Sequence, residues 1–486
     1  MKRYVSSLRY LLLALALMPF SLAAQEWMNV YRYFLYNRWE IPFALDSIDH
    51  FGLSNNRKEL QGVMQDGFVV PFDIAQIDSI AFAASVPDNL QVKDHYRIFE
   101  MFIYTIDGQE VTSKEDYVPC VIALNGGGSY ANRFVSGGIR GRGNSTWLWY
   151  DKKPYRIRLD KKQKILGMAK ARSWVLLANY RDVTDLMNTF AFELGHWMGL
   201  PYTNHTRYVE LFLNNRFLGL YQLTEQVQQN DNRVAVSDER GILISLDVDD
   251  GPTNSPHATD NFWSKGFGMP VTVKYPDDEQ LTLARRDSIR DVFAVLEDAI
   301  KRQNYAAASE LLDMESFVRY LLIQELLYNV ELSAPRSVFM YKDGDGKWGI
   351  GPLWDLDAGY DFDWSDMYTG HTFFSNYRET VMGTNPVRRN GNYPYVPQFF
   401  TNLFGCKQFV KLYKNTWNTY ADSLFTHTWG ETEKYLKHMR EGAIQREIGE
   451  WPVGKRFDTE VNKMKTWLQK RIEYMDQLVN AIPEPK

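Results

Sequence analysis

Two short stretches carry the residues best suited to chemistry. In GPLWDLD, Asp355 and Asp357 are two apart, so on an extended segment both carboxylates point to one face while Leu356 points away. Two hard oxygen ligands at the end of a hairpin suit Mg²⁺, which keeps several waters and uses one or two carboxylates together with substrate phosphates. The plainer reading makes one aspartate a turn cap and leaves the other solvated; the acids continuing to Asp361 and Asp363 weigh against it. The other stretch, GIRGRGNSTW, sets Arg140 and Arg142 among three glycines. Backbone N–H groups of such a turn can converge on an anion, and arginines hold phosphate oxygens in a bidentate fork. Lys153, at the start of the PYRIRL strand, can reach the same anion, with Glu193 on a helix as candidate partner. A solvated basic strand face is the alternative for this arginine run.

An anion-binding turn and paired acids for a metal are what phosphoryl transfer needs, since that reaction mostly positions and neutralises charge. It also wants a carboxylate to take the acceptor hydroxyl's proton. Glu331 in LLYNVELSAPR is best placed, between a buried helix and the hairpin that delivers Asp355; an ordinary loop glutamate is the alternative. Other chemistry finds little footing. There is no P-loop, no H-E-x-x-H among the eight histidines and no G-x-S-x-G, and His196 and His205 read as structural. DGDGKW resembles a calcium loop, but Lys347 falls on a ligand position and Trp354 on the acidic one, so it reads as a hairpin turn.

The elements that must position these residues follow from patterning. The chain has 486 residues, 45% hydrophobic and 24% charged, enough for a large core and long for one domain. Its net charge of −5 argues against general nucleic-acid binding. Aromatics at 15% fit a large core with wide grooves, or sugar and ring stacking. MKRYVSSLRY, the apolar LLLALALMPFSL and the small residues of SLAAQ form a secretory signal cleaved around Ala23 or Ala24, which predicts an exported protein, periplasmic, surface-bound or secreted. No later stretch predicts a membrane span. Export would permit a bridge between Cys120 and Cys406, though one bridge cannot organise a chain this size.

Residues 25–92 read as a small β-rich region, where FALDSIDHFGLS and FDIAQIDSIAFAAS share a rhythm that predicts two similar hairpins, followed by the linker VPDNLQVKD. FIYTIDGQEV turns at Asp107-Gly108 and YVELFLNNRFLGLYQL at Asn214-Asn215. PYRIRL sets Tyr155, Ile157 and Leu159 against Arg156 and Arg158 on the opposite face. VTDLMNTFAFELGHWMG predicts a helix capped at Thr184 or Asp185, with Leu186, Phe190, Leu194 and Trp197 as its stripe. Residues 249–269 read as a polar loop. LTLARRDSIRDVFAVLEDAIKR and DMESFVRYLLIQELLYNV predict long helices, the second buried; then come the VFMYKDGDGKWGIGPLW hairpin, a loop-like 363–400 and a helical remainder. Strands first and helices later predict an α+β, two-lobed arrangement with a cleft between the lobes.

GIRGRGNSTW, KKPYRIRLDKK, WVLLANYRDVTDL, AFELGHWMGLPYT, YVELFLNNRFLGLYQLTEQV and GPLWDLD together resemble the CotH (spore-coat protein H) kinase-like family, over about residues 95–400. The resemblance implies an atypical protein-kinase-like fold, an N-lobe β-sheet with one helix and a helical C-lobe, plus the small N-terminal β-rich appendage. The expected division is signal peptide 1–24, β-rich region 25–92, kinase-like domain 93–425 and C-terminal helical extension 426–486. It implies binding of ATP with Mg²⁺ and phosphate transfer to hydroxyl side chains of exported or surface proteins. Carried over by position, Arg142, Asn144 and Ser145 would contact phosphates and Lys153 would be the nucleotide lysine, with Glu193 its partner. Glu225 would lie near the adenine, and Asp355 would be the metal aspartate with Asp357 beside it. Asn329-Val330-Glu331 departs from the family's Asn-x-Asp, Arg336 or Ser337 stands where a second metal ligand is expected, and ELSAPR is one residue longer. The extra methylene of Glu331 moves a carboxylate by about an ångström, enough to slow a positioned proton transfer. That departure supports an alternative, a catalytically silent binding or scaffold protein at the cell surface. A carbohydrate-active enzyme is a third reading, which needs two carboxylates at a defined separation across a groove.

Overall fold

The computed structural model describes residues 26–34, 37–85, 92–237, 239–252, 254–277, 279–361, 373–383 and 396–486. The expected signal peptide and Asp363 lie outside these residues. Six strands come first: β1 (Trp27–Phe34), β2 (Asn37–Ala44), β3 (Ile48–Leu53), β4 (Glu59–Met64), β5 (Val69–Asp73) and β6 (Ile77–Ala83). They form two three-stranded antiparallel sheets, ordered β2-β1-β6 and β3-β4-β5. The two echoing segments are therefore corners rather than hairpins. Each carries a 3₁₀ turn, Leu45–Ser47 or Ile74–Gln76, that passes the chain from one sheet to the other. At the second corner Asp73 accepts the Ala75 N–H at 2.9 Å, which fixes the bend. Trp39 and Phe43 share one core with Phe102, Tyr104 and Phe212, so this region is fused to the strands that come after it.

The next seven strands are β7 (Ile98–Thr105), β8 (Val118–Asn125), β9 (Arg133–Gly141), β10 (Tyr155–Ile165), β11 (Met168–Leu177), β12 (Arg207–Leu213) and β13 (Arg216–Glu225). They close into a barrel in the order β10-β11-β13-β12-β7-β8-β9, where an N-lobe sheet was expected. Closure leaves no open edge, and glycine permits it: a Cβ on Gly137 of β9 would sit 2.6 Å from the Arg158 carbonyl oxygen of β10. Ile157, Leu159, Trp174, Leu176 and Tyr221 fill the interior. Asn214 and Asn215 take φ of 49° and 67° and turn β12 into β13. Asp107 and Gly108 also have positive φ, but the connection runs on to residue 117 before β8 pairs back. Two helices ride on the barrel segment, α1 (Ser145–Trp149) and α2 (Met187–Trp197). Helix α2 begins later than expected, because Asp185 is left-handed with φ 56° and the Met187 N–H is taken by Asp182 Oδ2 at 2.8 Å.

Helices dominate thereafter, around a sheet larger than the single hairpin expected. Strands β14 (Ile242–Leu246), β15 (Asn261–Trp263), β16 (Pro270–Tyr275), β17 (Val338–Lys342) and β18 (Trp348–Ile350) pair antiparallel in the order β15-β16-β14-β17-β18, so the supposed loop at 249–269 contributes a strand. The main helices are α3 (Leu283–Lys301), α4 (Met314–Leu327), α5 (Lys407–His438), α6 (Ile444–Glu450) and α7 (Phe457–Asn480). Helix α4, apolar nearly all round, is buried nearly all round. Helix α5 runs unbroken through residues 425–426, the expected start of a separate extension. The molecule is thus α+β. Among the described residues no helix is long and apolar enough to cross a membrane. Cys120, in β8, and Cys406, at the head of α5, are both free and buried. Val175, Leu177, Val227, Leu243 and Tyr275 form an apolar seam joining barrel to sheet, and a large cavity lies beside it.

Candidate active site

Charge lines this cavity of 1380 Å³ unevenly. The barrel side presents Arg142, Arg156, Arg158, Lys162 and Arg172; the sheet side presents Asp247, Asp249, Asp250, Glu331 and Asp355. Strand alternation builds the first wall. Ile157 and Leu159 go to the barrel core, which obliges Arg156 and Arg158 to face the cleft. Arg156 lies directly across the ladder from Arg140, a like-charge pair that costs stability. Burial depresses the Arg156 pKa; Tyr117 opposes that shift, while repulsion from Arg140, Arg158 and Arg142 adds to it. Its Nε is buried without a hydrogen-bond partner. Such a wall is arranged for an anion.

Arg142 leaves β9 through a hydrogen bond from its N–H to the Pro154 carbonyl at 3.2 Å, and its guanidinium carbon sits 5.4 Å from the Trp354 ring centre. Gly141 makes room for the turn, since a Cβ there would lie 2.4 Å from the Trp147 ring. Burial lowers the Arg142 pKa, and the charges of Asp355 and Asp357 oppose that shift. Arg142 and Asp355 therefore face one cavity.

The acidic wall is pinned from behind. Asp355 is left-handed at φ 59°, and the next residue donates its N–H to Asn188 Oδ1 of α2 at 2.9 Å. Tyr360 then ties the segment to both helices, its OH to the Met187 carbonyl and its N–H to the Leu327 carbonyl, each at 2.6 Å. Among the described residues no side chain or backbone group bonds the Asp355 carboxylate. Although water reaches it, protein crowds around it, and that burial together with the charge of Asp357 raises its pKa against the pull of Arg142. Glu331 lies in a 3₁₀ turn after α4, its N–H on Asn329 Oδ1 at 3.2 Å. Its carboxyl is likewise raised by burial and by Asp355 and Asp357, with Arg336 opposing. Burial pushes Asp247 up to about 6, although it accepts the Ser337 and Asp249 N–H groups. Excess negative charge on this wall is the complement of the cationic wall opposite.

Several expected roles change. Asp355 and Asp357 do not share an extended face, because the left-handed turn at Asp355 sends Asp357 toward Arg181, 4.0 Å away, and out of the cavity lining. Lys153 and Glu193 do not meet. The Lys153 ammonium braces α1, donating to the Trp147 carbonyl at 2.7 Å and to that of Tyr150, while Glu193 accepts from Tyr435 OH at 3.2 Å. Glu225 turns away from the cleft onto the His205 N–H and ring, at 2.8 and 2.7 Å; its successors Gln226–Gln229 line the cleft instead. Asn144 and Ser145 do line it, with Asn144 Oδ1 accepting from Lys114 at 3.2 Å. Arg336 reaches the cleft in the grip of Asp249, its Nε on Oδ2 at 2.8 Å and Nη2 on Oδ1 at 3.4 Å. The His196 and His205 rings lie 4.6 Å apart and outside the cleft lining, and DGDGKW is the β17–β18 turn.

Sequence reasoning missed Lys162, Arg172, Asp247, Asp249 and Asp250 as cleft residues. The only available signal was the DVDD run directly after an apolar strand. Among the described residues no three His, Cys, Asp or Glu side chains gather tightly enough to hold a metal ion by themselves. The chain belongs to the CotH kinase protein family, whose sequence profile matches residues 139–475. The match takes in α5, α6 and most of α7, beyond the blocks that carry the resemblance. No curated protein matches the chain.

Proposed function

We propose that this protein is an ATP-dependent phosphotransferase of two-lobed, protein-kinase-like architecture, acting on hydroxyl side chains of exported or surface proteins. The observation that carries the reading is the meeting of the Arg142 turn and the Asp355 segment on opposite walls of one cleft. The barrel would serve as the first lobe, the five-stranded sheet with its helices as the second, and Gln226–Gln229 would cross between them. Arg142, Arg156 and Arg158 bind phosphate oxygens, which relieves the mutual repulsion of the guanidinium groups. Asp355 would hold a Mg²⁺ ion that neutralises phosphate charge. The residues fit that ion: its unpaired carboxylate needs a cation, and phosphate oxygens and water complete a shell that requires only one or two carboxylates. Glu331, as its carboxylate, accepts the acceptor hydroxyl's proton; burial and the charges of Asp355 and Asp357 raise its pKa, which makes it a stronger base than an ordinary glutamate.

The test is phosphate transfer from labelled ATP with Mg²⁺, comparing wild type with Asp355→Ala. Transfer above the variant's background is expected; equal signals would end the kinase reading. A second reading, nucleotide or anion binding without transfer, draws on Arg336. Its guanidinium, held by Asp249, puts a fixed cation where the family resemblance expects a metal-holding side chain. Stabilisation by Mg·ATP in a thermal melt without any transfer would favour that reading.

A further inference from the structure

A second pocket of 470 Å³ lies away from the cleft, at the seam between the N-terminal sheets and the barrel. That volume is ordinary for a small-molecule site. Trp27 and Asn29 of β1 and Glu40 of β2 line one side; Glu100 of β7 and the loop from Asn125 to Arg133 line the other. Its polar groups are fixed but incompletely used. Glu100 Oε2 accepts from the Glu40 N–H at 3.2 Å and Asn125 Nδ2 at 3.1 Å, while Oε1 has no partner among the described residues. Asn29 is only 6% exposed, and its Oδ1 is buried with no hydrogen-bond partner. A buried, unanswered amide oxygen in a pocket wall is costly unless a ligand or water donates to it.

Ligand class follows from the groups the walls combine. Arg97 and Arg133 balance Glu40 and Glu100, so neither a strongly anionic nor a strongly cationic ligand is favoured. Trp27 and Tyr130 add aromatic surface, Trp27 held by its Nε1 on Ser85 Oγ at 2.8 Å and Tyr130 packed 5.8 Å from the Phe99 ring. Carboxylate and amide oxygens take hydroxyl protons, guanidinium groups donate to hydroxyl oxygens, and aromatic rings cover a C–H face. We propose that this pocket binds a neutral sugar ring, making the N-terminal sheets a saccharide-recognition element beside the cleft.

The test is saturation-transfer NMR on the full chain with the methyl glycosides of glucose, galactose, mannose and N-acetylglucosamine, each alone. Transfer to at least one glycoside is expected, with binding at least tenfold weaker in Trp27→Ala and in Tyr130→Ala. Should Trp27→Ala melt earlier than wild type, the exposed Arg97→Ala replaces it, with the same loss expected. No transfer from any of the four, or transfer unchanged in the variants, overturns the proposal. The cleft shares none of these residues, so a failure here leaves the phosphotransferase reading untouched, and the reverse also holds.

Discussion

Glu447 of α6 and Asp355 both face cations on the barrel, yet in opposite states. Glu447 Oε1 meets Lys152 Nζ at 2.7 Å, its Oε2 accepts the Leu220 N–H at 2.6 Å, and the same ammonium donates to the Leu220 carbonyl at 2.6 Å. The pair is sealed, with the Lys152 side chain 1% exposed. Asp355 has charge around it and no bond to any of it. The sealed pair is neutralised inside the fold, so only breaking it is costly; the open, unbonded carboxylate is kept at a cost to stability, as groups in ligand sites are.

That contrast can be broken most severely at the sealed pair. Glu447→Ala strands a buried ammonium and is expected to lower unfolding free energy by about 3–5 kcal/mol, measured by denaturant titration without ligand. Replacing both partners, Lys152→Met with Glu447→Leu, should recover most of the loss. At the open site the pattern reverses. Asp355→Ala should cut phosphate transfer by roughly 10²–10³-fold while leaving ligand-free stability unchanged or improved. An equal loss of stability in the two single variants would erase the distinction.

A subtler check uses pH. Glu331, Asp355 and Asp247 all hold protons more tightly folded than unfolded. Between the ordinary carboxylate range, about 4, and their raised values the native state binds more protons, so stability falls as pH rises. Melting of the ligand-free protein is expected to drop steadily from pH 4 through 6 and above, and less steeply in Asp355→Asn. The smallest effect belongs to Arg158→Gln. Its side chain is exposed and its charge screened, so a few-fold rise in the KM for ATP is expected, visible mainly at low ionic strength.

Legibility in the sequence tracks the range of the forces involved. Alternation along PYRIRL put Arg156 and Arg158 on one face, and the Asn214-Asn215 turn and the buried α4 were equally plain, because each depends on neighbours a few residues away. Arg142 and Asp355 were found from residue type and from family resemblance. The geometry of Asp355 was not legible, since its left-handed backbone is imposed by Asn188 and Tyr360 through contacts distant in sequence. Partner choice was the least legible. Lys153 alone stood out in the sequence, yet the packing of α6 on β13 buries its neighbour Lys152 against Glu447.

Helix α6 has a consequence for how the molecule is made. The counter-charge for Lys152 is synthesised 295 residues after the lysine itself. Until it arrives, a nascent barrel has only the buried Asp185 carboxyl near that ammonium, and the Leu220 N–H and the Lys152 ammonium both lack their glutamate partner. The first half is therefore expected to be less stable without the last part, and a chain stalled on the ribosome before residue 447 is expected to digest more readily with protease than the finished protein.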